Sequence, residues 1–498
     1  MRPLSIIALL LTGLLAACVE PSGSIPEEDP PAGTELPPLV TPTRAAELAR
    51  AAWADYWQAN MGGWGGLGWS AQADEITSTS SAYGLRVSGE EPRGWVPNSA
   101  STWYDFTLEP WRLAHRCQAA ATVALRATLQ PEAVFEAAGE SRLRIAAFSR
   151  FVRGLCLGTL AMRYETAYEV GADSTLRERN WEQLQAAAVD ELYQSIGLAT
   201  SSRLSFPADE QWIYGLDLDS EGLVRLANSF AARYMAAVPR TPAGREAADW
   251  QEIRRLAASG IEVDFAPVGD INRDNQFTDL TYWAHIPQRS MADYRTVGPA
   301  DLSGRYARWL AAPAVERRPF DIETDDRRIQ FRRGFDSPPG AYFAQLDTHY
   351  FAASRGPYLV SRVQFVRWQE YSVTSSGPMP HMVKAEMDLL QAEALLRSGA
   401  RGVELINNSR VAAGLTPARV TDAPGTPRDG SWQNVEIHVE GASLWAKLQH
   451  EFRLETFGTG GALAWATDRG WGDLVDGTPA EYPAPESRAA LVGWLVGQ

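Results

Sequence analysis

The sequence KAEMDLLQAEA at residues 384–394, followed by INNSRVAAGL at residues 406–415, predicts a helical hairpin. The first segment consists of good helix formers, and its small alanines are spaced for close contact with a neighbouring helix. Ser398 and Gly399 interrupt the pattern, and Gly414 is placed as the C-terminal stop of a second helix. We therefore expect two packed helices in this region.

The order of residues in this hairpin also resembles the SusD/RagB family, whose members carry an "AE…L..AEA" helix and then an "IN.vR.rAGL" helix. The resemblance implies a mostly α-helical scaffold of tetratricopeptide-like helix pairs, with a loop-rich insertion that carries a few short strands. It further implies a non-enzymatic surface lipoprotein that binds glycans or other nutrients beside a TonB-dependent transporter. The matching positions are Glu386, Ala392-Glu393-Ala394, Ile406-Asn407, Arg410 and Ala413-Gly414-Leu415.

A second, partial match to the family lies nearer the C-terminus. EFRLE at residues 451–455 resembles the "ER.lEl" helix, but the Glu and Arg of the following "fEGhRw" are missing from residues 457–465. We interpret the family-pattern residues as structural, because polar groups on packed helices commonly satisfy one another. These residues are Glu386, Glu393, Asn407, Arg410, Gly414, Glu451, Arg453 and Glu455.

The N-terminus predicts the cellular compartment. Residues 1–17 have the length and apolar run of a signal peptide and end in Leu-Ala-Ala before Cys18, which is similar to a bacterial lipobox. In this interpretation Cys18 is acylated and anchors the chain, and Val19 favours the outer membrane. The alternative is an ordinary signal peptide followed by a chance cysteine. The Pro- and acid-rich composition of residues 18–42 predicts a tether. The family resemblance implies that residues 43–498 form a single SusD/RagB-like helical domain.

The composition argues against nucleic acid as a partner. The chain contains 46 Lys and Arg against 61 Asp and Glu, and its formal net charge is −15, whereas nucleic-acid binding needs a basic footprint. With 498 residues and 45% hydrophobic content, the chain can bury a large core. Its 18 Trp residues exceed ordinary usage, and Trp both packs cores and stacks on sugar rings.

Helical patterns dominate the N-terminal half, and the middle of the chain differs from it. Pro, Gly, Asp and aromatic residues dominate residues 261–378, so we expect a loop-rich insertion that displays ligand-binding groups.

In the N-terminal half, Thr43 is expected to cap the first helix, and Gly62–Trp69 is expected to be a flexible stretch. The predicted helical segments cover residues 43–57, 104–129, 133–169, 175–196, 219–238 and 243–259.

No cofactor is expected. Asp270, Asn272 and Asp274 place oxygen ligands at alternating positions, as a calcium loop does, but Thr281 replaces the acidic twelfth residue. A turn stabilised by Asx side chains is the favoured interpretation, with a calcium ion as the alternative. The histidines show no zinc-ligand spacing, and the carboxylate pairs show no catalytic geometry.

Two cysteines remain beside Cys18. Cys117 and Cys156 each lie inside a predicted helical segment, where they either bridge two packed helices or act as small apolar thiols. We favour two thiols, because the sequence supplies no Cα separation to support a disulfide.

Exposed aromatics are the expected ligand-binding groups, because a flat ring matches the apolar face of a sugar. In the family such residues lie in a loop region after the first helix and in the irregular segment before the C-terminal hairpin. The other interpretation is that each packs in the core, since Trp is well buried on average. The corresponding candidates here are Trp95, Trp103, Tyr282, Trp283 and Tyr294.

The sequence as a whole predicts an outer-membrane lipoprotein, exposed at the cell surface. It would bind an oligosaccharide and deliver it to a TonB-dependent transporter, as the family resemblance implies. The alternatives are a peptide- or other nutrient-binding member of the same family, a surface glycan hydrolase, and an interaction protein whose ligand site has decayed.

Replacing Cys18 by Ala should release the protein from the membrane with its fold intact, because the anchor and the tether contribute nothing to a core. Membrane fractionation and circular dichroism of the wild type and the variant measure both properties. A variant that stays firmly membrane-bound without detergent would show that the anchor lies elsewhere.

Overall fold

The first helix, α1 (Pro42–Asn60), begins at a threonine cap. The hydroxyl of Thr41 accepts the N–H of Arg44 at 3.3 Å, and Pro42 occupies the first turn, where a missing N–H is tolerated. The predicted cap at Thr43 is therefore wrong by two residues. The computed structural model describes residues 38–81, 84–173, 175–273, 277–332, 338, 340–434 and 441–496. The predicted signal peptide, Cys18 and most of the predicted tether lie outside these residues.

Helices form most of the regular structure. The helices that follow α1 are α2 (Gly63–Gln72), α3 (Leu85–Gly89), α4 (Asp105–Ala127), α5 (Glu132–Ala137), α6 (Arg142–Arg163), α7 (Trp181–Thr200), α8 (Ser220–Ala237), α9 (Pro242–Glu246), α10 (Trp250–Ala258), α11 (Asp279–Ala284), α12 (Tyr294–Val297), α13 (Arg305–Ala311), α14 (Gln369–Thr374), α15 (Lys384–Arg397), α16 (Val403–Arg410), α17 (Leu444–Glu455), α18 (Leu463–Trp471) and α19 (Arg488–Val496).

The long helices pack in succession and form the expected scaffold. α1 packs against α4, α4 against α6, α6 against α7 and α7 against α8, and α10 joins α8 to α15. Close approach depends on small residues: Gly158 of α6 leaves no room for a Cβ beside the ring of Tyr234 on α8. The expected arrangement, mostly α with tetratricopeptide-like helix pairs, is confirmed.

Short antiparallel strand pairs connect and decorate the scaffold. The strands are β1 (Ile76–Ser78), β2 (Thr166–Val170), β3 (Leu176–Asn180), β4 (Ser205–Phe206), β5 (Leu218–Asp219), β6 (Val268–Asp270), β7 (Ser290–Ala292), β8 (Phe343–Gln345), β9 (Val363–Phe365) and β10 (Ser376–Pro378). Three pairs involve the loop-rich middle of the chain, as expected: β1 pairs with β7, β6 with β10, and β8 with β9.

Two local predictions are wrong. The helical segments expected over 133–169 and 175–196 are interrupted by the β2–β3 hairpin, and α7 begins only at Trp181, with a capping box formed by Asn180 and Gln183. The Gly-rich stretch expected to be flexible forms α2, which packs against α1, α4 and α11. Tertiary packing overrides the weak local propensities in both places.

A disulfide joins α4 to α6. Cys117 and Cys156 lie with their Cα atoms 6.3 Å apart, within the range that a disulfide spans, and both residues are fully buried. The preference for two separate thiols is therefore wrong, because the helix pair brings together residues that are 39 positions apart.

Two buried ion pairs connect the hairpin α15–α16 to the scaffold. Arg233 of α8 donates to both carboxylate oxygens of Glu386 at 2.7 and 2.6 Å. Arg245 of α9 donates in the same way to Glu393 at 2.9 and 2.7 Å. All four side chains are nearly inaccessible to solvent. Gly414, with a φ of 79°, follows α16 in the left-handed conformation that its place as a stop predicts.

A second buried cluster connects α17 to the middle of the chain. Arg328 donates to Glu451 at 2.8 Å, to Glu455 at 2.9 Å and to Asp326 at 2.9 and 2.7 Å. Arg410 donates to the other oxygen of Glu451 at 3.2 Å. Arginine and carboxylate groups thus satisfy one another where water is excluded.

The remaining family-pattern residues also make contacts within the protein. Asn407 exchanges hydrogen bonds of 2.9 and 2.7 Å with the backbone of Ala418 and so fixes the chain that leaves α16. Arg453 donates to Asp468 of α18 at 3.0 Å and also binds Asp473.

α6 is the one helix in the described part of the chain that is long and apolar enough to cross a membrane by length and composition. Within the fold, 94% of its apolar window is buried, as is usual for a core helix.

Replacing Glu393 by Ala should lower the free energy of unfolding by about 3–5 kcal/mol, because Arg245 then stays buried without a counter-charge. Urea denaturation measures the change. The matched control is Glu404→Ala on α16, where the side chain is exposed and the expected loss is below about 1 kcal/mol. Equal losses in the two variants would contradict a stabilising role for the buried pair.

Candidate functional site

The pairing of β1 with β7 brings distant loops together. The two strands are antiparallel. Just beyond β1, the backbone N–H of Thr79 donates to the carbonyl of Arg289 at 3.0 Å, and the carbonyl of Thr79 accepts from the N–H of Ala352 at 2.7 Å. Arg86, which follows Thr79 in the chain, donates to the hydroxyl of Tyr358 at 3.1 Å, so three segments of the chain meet here. We call residues 84–104, 283–289 and 349–358 the loop surface.

Trp103 is the most exposed of the candidate aromatics, with 40% of its surface accessible. Its φ of 72° lies in the left-handed region, which is unfavourable for a bulky residue. Its ring covers Gly84, where an added Cβ would lie only 2.4 Å from the ring. Strained backbone that presents an exposed aromatic is a feature of binding sites.

Trp95 supports the loop that carries Trp103. It is half-buried, and its ring lies 6.2 Å from the ring of Phe106 and 5.8 Å from that of Tyr482. Its indole N–H donates to the carbonyl of Thr102 at 3.4 Å. Trp95 therefore connects the exposed end of the loop to the core.

Trp283 lies beneath an arginine. The guanidinium of Arg289 lies 4.6 Å from the centre of the indole ring, and only 6% of Trp283 is exposed. The expectation that Trp283 is exposed is wrong, because Arg289 covers it. The group that faces solvent here is the arginine.

Tyr294 and Tyr282 do not form part of the loop surface. Tyr294 is fully buried, stacks on Phe320 at 4.2 Å and donates its hydroxyl to the Phe320 carbonyl at 2.6 Å. The expectation that it is exposed is wrong, because the chain enters the core directly after β7. Tyr282 is half-buried, and its ring lies 5.2 Å from that of Phe277.

The structure adds residues that the sequence reading missed. Arg86 and Arg355 flank Tyr358, with their guanidinium carbons 5.9 and 4.8 Å from the ring centre. Arg86 also donates to the hydroxyl of Tyr358 at 3.1 Å. Phe351 of the same loop is 39% exposed. The one sequence signal was SRGPY at residues 354–358, a Gly-Pro turn between an arginine and a tyrosine.

The charges of these two arginines have different surroundings. Arg86 lies 3.2 Å from Glu90, and each of these side chains is about one-third exposed. Arg355 is buried and donates to the carbonyls of Ser78 at 2.9 Å and Tyr358 at 3.2 Å. Burial lowers the pKa of Arg355, since a buried cation loses hydration.

A separate cleft of about 500 Å³ lies beside the hairpin α15–α16. Its polar groups are paired with one another: Lys384 binds Asp388, and Asn408 donates to Asp388 at 2.9 Å. The hydroxyl of Tyr342 likewise donates to Glu455 at 2.8 Å. These polar groups of the cleft are therefore engaged within the protein.

The predicted turn at Asp270 is present. Asp270 accepts from the backbone N–H of Asn272 at 2.9 Å and from its side chain at 3.1 Å, which is the geometry of an Asx turn. Asp274 lies outside the described residues, so the calcium alternative stays a prediction. Within the described ranges, no group of three His, Cys, Asp or Glu side chains is arranged to hold a metal ion.

Comparison with solved structures decides the fold. A SusD/RagB family protein from Bacteroides thetaiotaomicron shares 12% identity over 92% of this chain and 96% of its own, with a TM-score of 0.52. A SusD-like carbohydrate-binding protein from Bacteroides vulgatus shares 14% identity over 84% and 82%, with a TM-score of 0.51. A third structure, solved with xylogluco-oligosaccharide, shares 11% identity over 92% and 85%, with a TM-score of 0.51.

The chain has the SusD/RagB fold. The resemblance seen in the hairpin at residues 384–415 is thereby confirmed at the level of the fold, across most of the described structure. No family model and no curated protein matches the sequence. The loop surface carries the exposed rings of Trp103 and Phe351 and the exposed guanidinium of Arg289.

Trp95 and Trp103 should respond differently to substitution. Trp95→Ala should lower the free energy of unfolding by about 1–3 kcal/mol, because it removes half-buried contacts with the core. Trp103→Gly should change it by less than about 1 kcal/mol, because glycine adopts positive φ without strain. Thermal denaturation of both variants tests this, and a larger loss for Trp103→Gly would show that the ring packs in the core.

Proposed function

We propose that this protein is a non-enzymatic outer-membrane lipoprotein that binds oligosaccharide at the loop surface and delivers it to a TonB-dependent transporter. The observation that carries the proposal is Trp103, an exposed aromatic ring that is held on strained backbone and covers Gly84 in the first segment of the loop surface. The SusD/RagB fold supports the same function, because two of the structures that share it are described as carbohydrate-binding or as solved with an oligosaccharide.

The chemistry of the loop surface suits a sugar. The face of an exposed indole stacks on the C–H-rich face of a pyranose, and Phe351 adds a second exposed ring. Arg86 and Glu90 supply hydrogen-bonding groups for hydroxyls, and both are about one-third exposed. Aromatic faces with a few polar groups are the usual composition of a small-ligand site.

The carboxylates of the loop surface favour binding over hydrolysis. Glu91 is bound by Arg295 and by Arg317, at 3.1 Å from the latter, and Glu90 is bound by Arg86. A glycoside hydrolase needs an acid and a second carboxylate that face each other across the scissile bond. Glu90 and Glu91 are adjacent in sequence and occupied by arginines, so they do not offer that pair.

The cellular location follows from the predicted lipidation of Cys18 and the acid- and Pro-rich sequence after it. A lipid anchor with a tether leaves the folded body free to sit against a membrane-embedded partner. The TonB-dependent transporter is proposed as that partner on the family resemblance. Affinity purification of the tagged protein from solubilised outer membranes, followed by mass spectrometry, tests for it.

Replacing Trp103 by Gly should weaken oligosaccharide binding by about 1–3 kcal/mol, because a stacked aromatic anchor is lost. Isothermal titration against a panel of oligosaccharides and peptides measures the change. The matched control is Tyr193→Ala on α7, which removes an aromatic of similar exposure (37%) far along the chain and should leave binding unchanged.

Several outcomes would contradict this function. Peptides that bind while every glycan fails would assign the protein to peptide uptake. Release of new reducing ends from a polysaccharide would identify a hydrolase. Unchanged glycan affinity in Trp103→Gly would place the binding site away from the loop surface.

A further inference from the structure

The loop surface carries an exposed arginine that has no acidic side chain within ion-pair distance in the described part of the chain. Arg289 is exposed, and in the described part of the chain no acidic side chain lies within 4.0 Å of the guanidinium of Arg289 or of Arg355. Glu90 pairs with Arg86, and the charge of Glu91 is taken by arginines from outside the loop surface. A local excess of positive charge therefore remains.

This local excess is opposite in sign to the charge of the whole protein. The formal net charge is −15, so the protein as a whole repels anions. Salt screens that long-range repulsion, whereas a cation in direct contact with a ligand acts over a shorter distance than the screening length. Cations without acidic partners on the proposed binding surface thus indicate that anionic ligands are selected by direct contact with these cations and not by the charge of the whole protein.

We propose that the loop surface selects anionic glycans, with Trp103 stacking on a sugar ring while Arg86 and Arg289 bind carboxylate or sulfate groups along the same glycan chain. This inference rests on the proposed function, because it names the substrate class of the same surface. The guanidinium group suits the task, since its planar array of donors matches a carboxylate or sulfate in a bidentate manner.

Glu90 acts as the internal counter-ion of Arg86. The two charged groups lie 3.2 Å apart and both are about one-third exposed, so an anionic ligand competes with Glu90 for the guanidinium. Tyr358 keeps Arg86 in position through its hydroxyl, at 3.1 Å. Removing the charge of Glu90 should consequently strengthen the binding of an anionic glycan, which a merely structural ion pair would not do.

The experiment compares glycans that differ only in charge. Polygalacturonate is paired with its carboxyl-reduced form, and chondroitin sulfate with its desulfated form, which distinguishes carboxylate from sulfate recognition. Neutral xyloglucan, arabinan and starch complete the panel. Affinity electrophoresis and isothermal titration of the full chain measure binding at about 0.05 M and about 0.5 M NaCl, below and above physiological screening.

We expect polygalacturonate to bind about tenfold or more tightly than its carboxyl-reduced form, or chondroitin sulfate than its desulfated form, the scale of one hydrogen bond to a charged group. Arg289→Gln should weaken that binding by a similar factor, and Glu90→Gln should strengthen it. The matched control, Arg254→Gln, removes an exposed arginine of α10 that also has no ion-pair partner in the described structure, and should change nothing. Binding of the anionic glycan should weaken at about 0.5 M NaCl, because the screening length there falls to about 4 Å, the distance of the direct contacts themselves.

Each contrary result has one meaning. A neutral glycan that binds equally well in Arg289→Gln and at high salt overturns the anionic specificity and leaves the proposed function intact. A loss in Arg254→Gln as large as that in Arg289→Gln overturns the assignment to the loop surface. Absence of binding to every glycan of the panel overturns both the specificity and the proposed function.

Discussion

Buried arginine–carboxylate pairs are the interaction on which the arrangement of the helices depends. A guanidinium inside a protein is unfavourable unless its charge and its N–H groups are matched. Arg233 and Arg245 meet this requirement only when α15 lies against α8 and α9 with Glu386 and Glu393 in place. The buried guanidinium of Arg469 instead donates its N–H groups to backbone carbonyls, including that of Met162 at 3.0 Å. Such requirements leave little freedom in how the hairpin docks.

The rigid scaffold allows irregular loops to be held precisely. The disulfide joins α4 to α6, and the cluster around Arg328 joins α17 to the middle of the chain. The short pairing of β1 with β7 carries Thr79 into contact with two other loops. The strained backbone of Trp103 is tolerated because the surrounding structure determines its position. A binding surface can therefore consist of loops without being loosely formed.

Arginine has two distinct roles in this chain. In the core it meets carboxylates or carbonyls and determines how helices dock. At the loop surface Arg289 covers Trp283 and presents its charge to solvent, and Arg86 pairs with Glu90, which is about one-third exposed. The N–H donors of a guanidinium are fixed in one plane. This geometry determines how helices dock in the core, and we propose that it determines which ligand groups bind at the loop surface.

The sequence by itself determined the hairpin at residues 384–415, the left-handed stop at Gly414 and the helical character of the scaffold, because these depend on local periodicity and propensity. It did not predict the β2–β3 hairpin or the disulfide, which depend on which helices become neighbours. The sequence also did not predict the contact between Arg86 and Tyr358, which are 272 positions apart. Burial of Tyr294 and exposure of Arg289 follow from the β1–β7 pairing, a long-range contact that no local pattern encodes. Only the tertiary structure decided which aromatics face solvent.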